Sequence, residues 1–139
     1  MIQNSISLKI YLPRIPDVEL VAMQGLDQMA NYLGIPPEKT GEAKIMVAEA
    51  IINALEHAGD KNPQVRVEFK MSKEKLVIFV RDYGKGFDPA SIEEPDIKDK
   101  LHSMNKRGWG MKLMKSMADD FIIESKATGT KITLIKILK

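Results

Sequence analysis

The chain of 139 residues contains no cysteine. Disulfides, thiolate zinc sites and a cysteine nucleophile are therefore excluded. Long apolar runs are missing too: no segment reaches the roughly 18 apolar residues of a membrane-spanning helix. The first residues, MIQNSISLKIYLPRIP, lack the charged start and unbroken apolar stretch of a signal peptide. Nor is there an excess of one charge. The 21 basic and 19 acidic residues leave +2, which gives no bulk electrostatic reason to expect direct nucleic-acid binding. No repeat, low-complexity tract or break in composition marks a second domain. Residues 1–139 are therefore expected to fold as one domain, cytoplasmic and without a membrane partner. With 44% apolar and 29% charged residues the chain has the composition of an ordinary globular domain, and its nine methionines read as core filler.

Hydrophobic periodicity supplies the elements. Ile6, Leu8, Ile10 and Leu12 alternate with polar residues and predict a strand ended by Pro13 and Pro16. Asp17 is expected to cap a helix whose apolar positions run from Val18 to Leu33, before Gly34. A second helix is expected from Pro36 and Pro37 to Gly59, with Gly41 weakening its first turns. The period then becomes two over Val65–Met71 and Leu76–Val80, joined by a polar turn. A polar stretch of about 20 residues follows, a length that in a compact domain marks a functional or mobile loop. A helix from Gly108 would turn Met111, Met114, Met117 and Ala118 inward, with Leu113 at the edge of that stripe. Strands over Phe121–Lys126 and Lys131–Leu138 close the chain. Paired strands with grouped helices predict an α+β two-layer sandwich: a mixed, mostly antiparallel sheet with helices on one face.

Four stretches could carry chemistry. Glu49, Asn53 and His57 are spaced by four and so neighbour one another on one helix face. Ile45, Ala48, Ile52 and Leu55 are expected to form the adjoining apolar stripe, which puts the polar trio at the core's edge. A glutamate there could act as a general base, and an asparagine oxygen could meet a hard cation. Asp82, Gly84 and Gly86 leave a strand in the order D-x-G-x-G-F, where glycines bare the backbone and a carboxylate can accept from an amino group. The spacing is not that of a calcium-binding EF-hand loop. Lys106, Arg107, Gly108 and Gly110 open a helix, whose N-terminal N–H groups favour phosphate. This is neither a P-loop nor a complete G-x-G-x-x-G. Gly129 and Thr130 sit at a turn between strands. Taken singly, each stretch also reads as a solvated face or a plain turn.

Their order is more specific. A helical E-x-x-x-N-x-x-x-H, a strand ending in D-x-G-x-G-F, a long loop, R-G-x-G opening a helix, and then G-T: this resembles the ATP-binding domain of the GHKL superfamily, with its Bergerat fold. The short single-domain form looks most like the anti-sigma factor serine/threonine kinases of bacterial partner-switching systems. The resemblance implies ATP and Mg²⁺ as cofactors, with Glu49 catalytic and Asn53 the metal ligand. It implies Asp82 at the adenine amino group, Gly84 and Gly86 beside the base, and Thr130 supporting that end. His57, Lys106, Arg107, Gly108 and Gly110 would lie near the phosphates, and residues 88–107 would form a lid. The implied partners are a sigma factor and a STAS-type anti-anti-sigma protein, with a homodimer as the family expectation. An ATP-binding anti-sigma or adaptor module without kinase activity, or a stand-alone histidine-kinase-like ATPase, shares the same nucleotide residues.

Overall fold

A computed structural model describes residues 4–86 and 106–139. The described chain runs β1 (Ser5–Pro13), α1 (Glu19–Leu33), a 3₁₀ turn (Pro37–Lys39), α2 (Gly41–His57), β2 (Gln64–Ser72), β3 (Lys75–Asp82), α3 (Lys106–Met117), β4 (Asp120–Lys126) and β5 (Gly129–Ile137). The five strands form one sheet in the order β1-β2-β3-β5-β4. The α+β sandwich is as expected, but every described ladder is antiparallel, so the sheet is not mixed there. β1 pairs with β2 along its whole length, from Ser5 opposite Ser72 to Pro13 opposite Gln64. It therefore completes the chain's own sheet as an edge strand.

Register fixes which residues face the helices, because side chains alternate along each strand. One face carries Leu8, Phe69, Ile78 and Leu134 in adjoining rows, with Val67, Val80 and Ile132 in the next. These meet Leu26, Met46, Val47, Ile51 and Met114 from the helices in a continuous core. The other face is mostly polar, with the ammonium groups of Lys70 and Lys131 at 5.6 and 4.8 Å from the centre of the Phe79 ring. Such cation–ring contacts help a half-buried aromatic sit on a largely polar sheet face.

Two expectations about helix starts change. α1 begins at Glu19, and no side chain caps it; Asp17 instead takes a left-handed conformation with φ of 65° in the turn before it. Aspartate tolerates that region better than most residues. The stretch from Pro37 is not continuous with α2 either. It forms a 3₁₀ turn ending at Thr40, and α2 starts at Gly41. Thr40 closes the turn by donating its hydroxyl to the Pro37 carbonyl at 3.0 Å.

Two cationic side chains fix the helices over the sheet. Arg14, just after β1, donates to the carbonyls of Leu55 and Ala58 at the C-terminus of α2 and to Asp60 beyond it. A guanidinium suits several acceptors in fixed geometry and complements the helix dipole at that end. Lys136 on β5 donates to the Met117 carbonyl at the end of α3 and pairs with Glu42 in the first turn of α2 at 3.5 Å. Both ends of α2, and the last turn of α3, are tied down around the polar face between them.

Candidate nucleotide site

Of the expected apolar stripe of α2, Leu55 is buried and Ala48 half-buried, but the other two positions are not. Ile45 and Ile52 are exposed, while Met46, Val47, Ala50, Ile51 and Ala54 are buried. With the core one step further round, Asn53 sits inside it, only 7% exposed, and Glu49 and His57 are half-buried on either side. α3 packs against this face. A Cβ added at Gly110 would stand 2.8 Å from Glu49 Oε2, so the absent side chain is what lets the carboxylate lie against the helix. One residue on, the Asn53 amide donates through Nδ2 to the Met111 thioether at 3.8 Å. Asn53 Oδ1 is buried and has no partner among the described residues. Burial raises the Glu49 pKa, and Glu56 two turns along the helix raises it further.

Asp82 lies at the other end, at the last position of β3 and 2% exposed. Its Oδ1 accepts from the Gly84 N–H at 2.9 Å. Burial pushes its pKa up, opposed by the N–H groups of Gly84 and Thr130 and the charge of Arg81. The strand leaves through glycine for steric reasons. A Cβ at Gly84 would collide with the His57 carbonyl, and Gly86 adopts φ of 77°, where a Cβ would collide with the Lys126 carbonyl and the Ser125 hydroxyl. Thr130, 3% exposed, shares a 2.7 Å hydroxyl–hydroxyl hydrogen bond with Ser125 across the β4–β5 ladder. The Asp82 loop is thus wedged between the end of α2 and the β4–β5 turn.

The structure therefore joins the four sequence stretches around α2. Glu49 and Asn53 meet α3, and the His57 backbone meets the glycine loop, which meets Thr130. Lys106, Arg107 and Gly108 lie in the first turn of α3, so the glycines are inside the helix rather than ahead of it. The expected lid, apart from its basic end, lies outside the described residues. Two neighbours escaped sequence reasoning. Ser125 looks like any strand serine until register sets it opposite Thr130, and Met111 reads as core. An open groove of about 900 Å³, bordered by Arg14, Asp17, Leu55, Lys85 and Gly86, reaches this region at His57 but is not lined by Glu49, Asn53 or Asp82.

The donor set bears on a cation. Among the described residues no three His, Asp or Glu side chains gather to hold a metal. A magnesium ion, which keeps waters and takes one or two protein oxygens plus substrate phosphates, does not need such a cluster. The buried, unpartnered Asn53 Oδ1 is one such oxygen and fits that requirement.

A family model of the histidine kinase-like ATPase domain matches residues 16–136. The chain belongs to that family. Among curated proteins it is similar to the serine-protein kinase RsbW of Oceanobacillus iheyensis, 26% identical over 125 residues, covering 86% of this chain and 79% of that protein. It is also similar to RsbW of Bacillus subtilis, 25% identical and covering 99% and 89%. Solved structures share its fold. The RsbU and RsbW domains of Rv1364c from Mycobacterium tuberculosis superpose with a TM-score of 0.67 at 18% identity, over 95% of this chain and 32% of that longer one. The SiaB–SiaC complex of Pseudomonas aeruginosa gives 0.61 at 13% identity, over 97% and 90%. No helix among the described residues is long and apolar enough to cross a membrane.

The contact between Gly110 and Glu49 gives a direct expectation. In Gly110→Ala the new methyl group must displace the Glu49 carboxylate, the mobile end of a side chain, rather than backbone. Folding should be unharmed, because alanine in a helix is favoured over glycine by about 0.5–1 kcal/mol. With Glu49 as the general base the resemblance implies, phosphate transfer should fall by about tenfold or more, as misplacing a catalytic group costs such factors. Thermal unfolding and a transfer assay on the same sample check both halves.

Proposed function

We propose that this chain is an ATP-binding anti-sigma factor and a serine/threonine-protein kinase, cytoplasmic in location, that phosphorylates a STAS-type anti-anti-sigma partner. The observation that carries the reading is the pairing on one helix face of a half-buried carboxylate, Glu49, with a buried amide oxygen, Asn53 Oδ1, that has no partner among the described residues. The names of the most similar curated relatives support the kinase class. The sigma factor and STAS partner follow from the partner-switching resemblance, and the fold relative SiaB was solved in a complex with a second protein.

In this reading Asp82 accepts a hydrogen bond from the adenine amino group, which selects adenine over guanine. Gly84 and Gly86 let the base approach the backbone, and Thr130, held by Ser125, supports that end. The α3 N-terminus, with Gly108, Gly110 and Lys106 or Arg107, faces the phosphates, as does His57. Asn53 would hold Mg²⁺, which neutralises phosphate charge when bound. Glu49 takes the proton from the partner's hydroxyl. The hydroxyl oxygen bonds to the γ-phosphorus as its bond to the ADP oxygen breaks. Positioning and charge neutralisation supply most of the acceleration in phosphoryl transfer.

The test is calorimetric titration with ATP, ADP and GTP, with and without Mg²⁺, followed by single-turnover transfer to purified STAS proteins. The reading expects adenine nucleotides to bind, GTP to be rejected and a STAS serine or threonine to be labelled. Equal binding of GTP would overturn the Asp82 assignment, and nucleotide binding with no transfer to any partner would remove the kinase.

A further inference from the structure

Two residues of α3 adjoin the two polar residues of α2. Gly110 clears space for Glu49, and its neighbour Met111 touches Asn53. The second contact has a consequence beyond packing. An asparagine amide has two ends of nearly equal shape and opposite chemistry: an oxygen that only accepts and an NH₂ that only donates. Asn53 is buried, so no surrounding solvent chooses between its two orientations. A thioether sulfur accepts weakly and cannot donate. Only the NH₂ end can therefore rest favourably against Met111, as it does at 3.8 Å. The oxygen is left on the other side, buried and without a partner among the described residues. A buried acceptor left unsatisfied is costly, which leaves it ready for a cation.

We propose that Met111 is a positioning residue for Asn53: its sulfur sets the orientation of the amide and so turns Oδ1 toward the bound cation. This rests on the Mg-ATP reading of the site. Met111 is 5% exposed and Met114, one turn on, fully buried, so both fill the core; the thioether at 111 adds the acceptor that a hydrocarbon of the same size lacks. Partners that orient a metal ligand typically change metal affinity by about 10- to 100-fold when removed, and for a weak acceptor the lower end is expected.

The experiment compares wild type, Met111→Leu and Asn53→Ala. Leucine conserves volume and is well tolerated in place of methionine in cores. ATP affinity is titrated in Mg²⁺ and in EDTA, thermal unfolding is followed without nucleotide, and the Asn53 side-chain amide pair is recorded by ¹⁵N NMR in the nucleotide-free protein. The expected result for Met111→Leu is unchanged affinity in EDTA, about a tenfold loss of the Mg²⁺ enhancement, and a shifted Asn53 amide pair. Selenomethionine protein, which keeps an acceptor, should retain the enhancement. If Met111→Leu keeps the full enhancement while Asn53→Ala loses it, Met111 is core filler only and the metal reading stands. If Asn53→Ala also keeps it, the metal reading falls, and the role of Met111 with it. Equal losses in Mg²⁺ and EDTA would mean packing damage and overturn the proposal. Should the leucine variant fail to fold, Met111→Ile removes the same acceptor.

Discussion

Replacing Glu49 with alanine is expected to slow phosphate transfer by about 10²- to 10⁴-fold, the usual contribution of a positioned general base, while ATP affinity stays within about threefold. The separation follows from where the carboxylate lies. Glu49 lies against α3 at Gly110 and is one helical turn from Asn53, which the proposed reading assigns to the phosphate end of the nucleotide and not to the base. Its environment also suits a base. Burial first, and the charge of Glu56 second, raise its pKa above the ordinary carboxylate value, which strengthens its hold on a proton. As the proposed general base, Glu49 would be active in its deprotonated form. Transfer should therefore fall as pH drops through the raised pKa, and that limb should disappear in the alanine variant's residual rate. Glu49→Gln keeps the shape and removes the basicity, and it should match alanine if proton transfer is the role. Single-turnover transfer from radiolabelled ATP decides it. A wild-type rate in either variant would remove Glu49 from the chemistry.

The parts of this arrangement that were legible in the sequence share a cause. Alternation over Val65–Met71 predicts a strand because one face is buried and the other solvated, and Leu76–Val80 is a short apolar run after a polar turn; the register pairs the two. Gly84 and Gly86 are readable because close backbone approach leaves a compositional trace. α2 was harder. It is pressed against the sheet on one side and against α1 and α3 on others, so apolar residues surround most of its circumference. Periodicity could not tell Met46, Val47 and Ile51, which are buried, from Ile45 and Ile52, which are exposed. That misplacement also hid how deeply Asn53 lies. Asp17 fits the pattern of a capping residue, yet the turn after Pro16 holds it in a left-handed conformation one residue too early. Ser125 and Met111 carried no signal because their roles come from register and helix packing, which bring together residues five and 58 positions apart.

Asp82→Asn should weaken ATP binding by about 30- to 1,000-fold. Losing a hydrogen bond to a charged group costs about 1.5–3 kcal/mol, and a mismatched buried donor adds to it; each 1.4 kcal/mol is about tenfold in affinity. The mismatch follows from the loop. The N–H groups of Gly84 and Thr130 already point at the Asp82 carboxylate. An asparagine would turn its one oxygen to those donors and present NH₂ where the adenine amino group also presents hydrogen. Affinity and stability should then respond oppositely to pH. In the wild-type protein Asp82 has a raised pKa in the folded state, chiefly through burial, so the folded state holds that proton more tightly than the unfolded chain. Its contribution to stability is full below the ordinary aspartate pKa and is lost as pH rises through the raised value. In the proposed site the ionised carboxylate is the form that accepts from adenine, so affinity should instead fall as pH drops through the same range. Asparagine removes both dependences at once. At neutral pH the variant should fold at least as stably as wild type while failing to bind ATP, which separates a binding residue from a structural one. Titration calorimetry and thermal unfolding across the acidic range measure the two curves, and unchanged ATP affinity in a folded Asp82→Asn protein would take the adenine site away from β3.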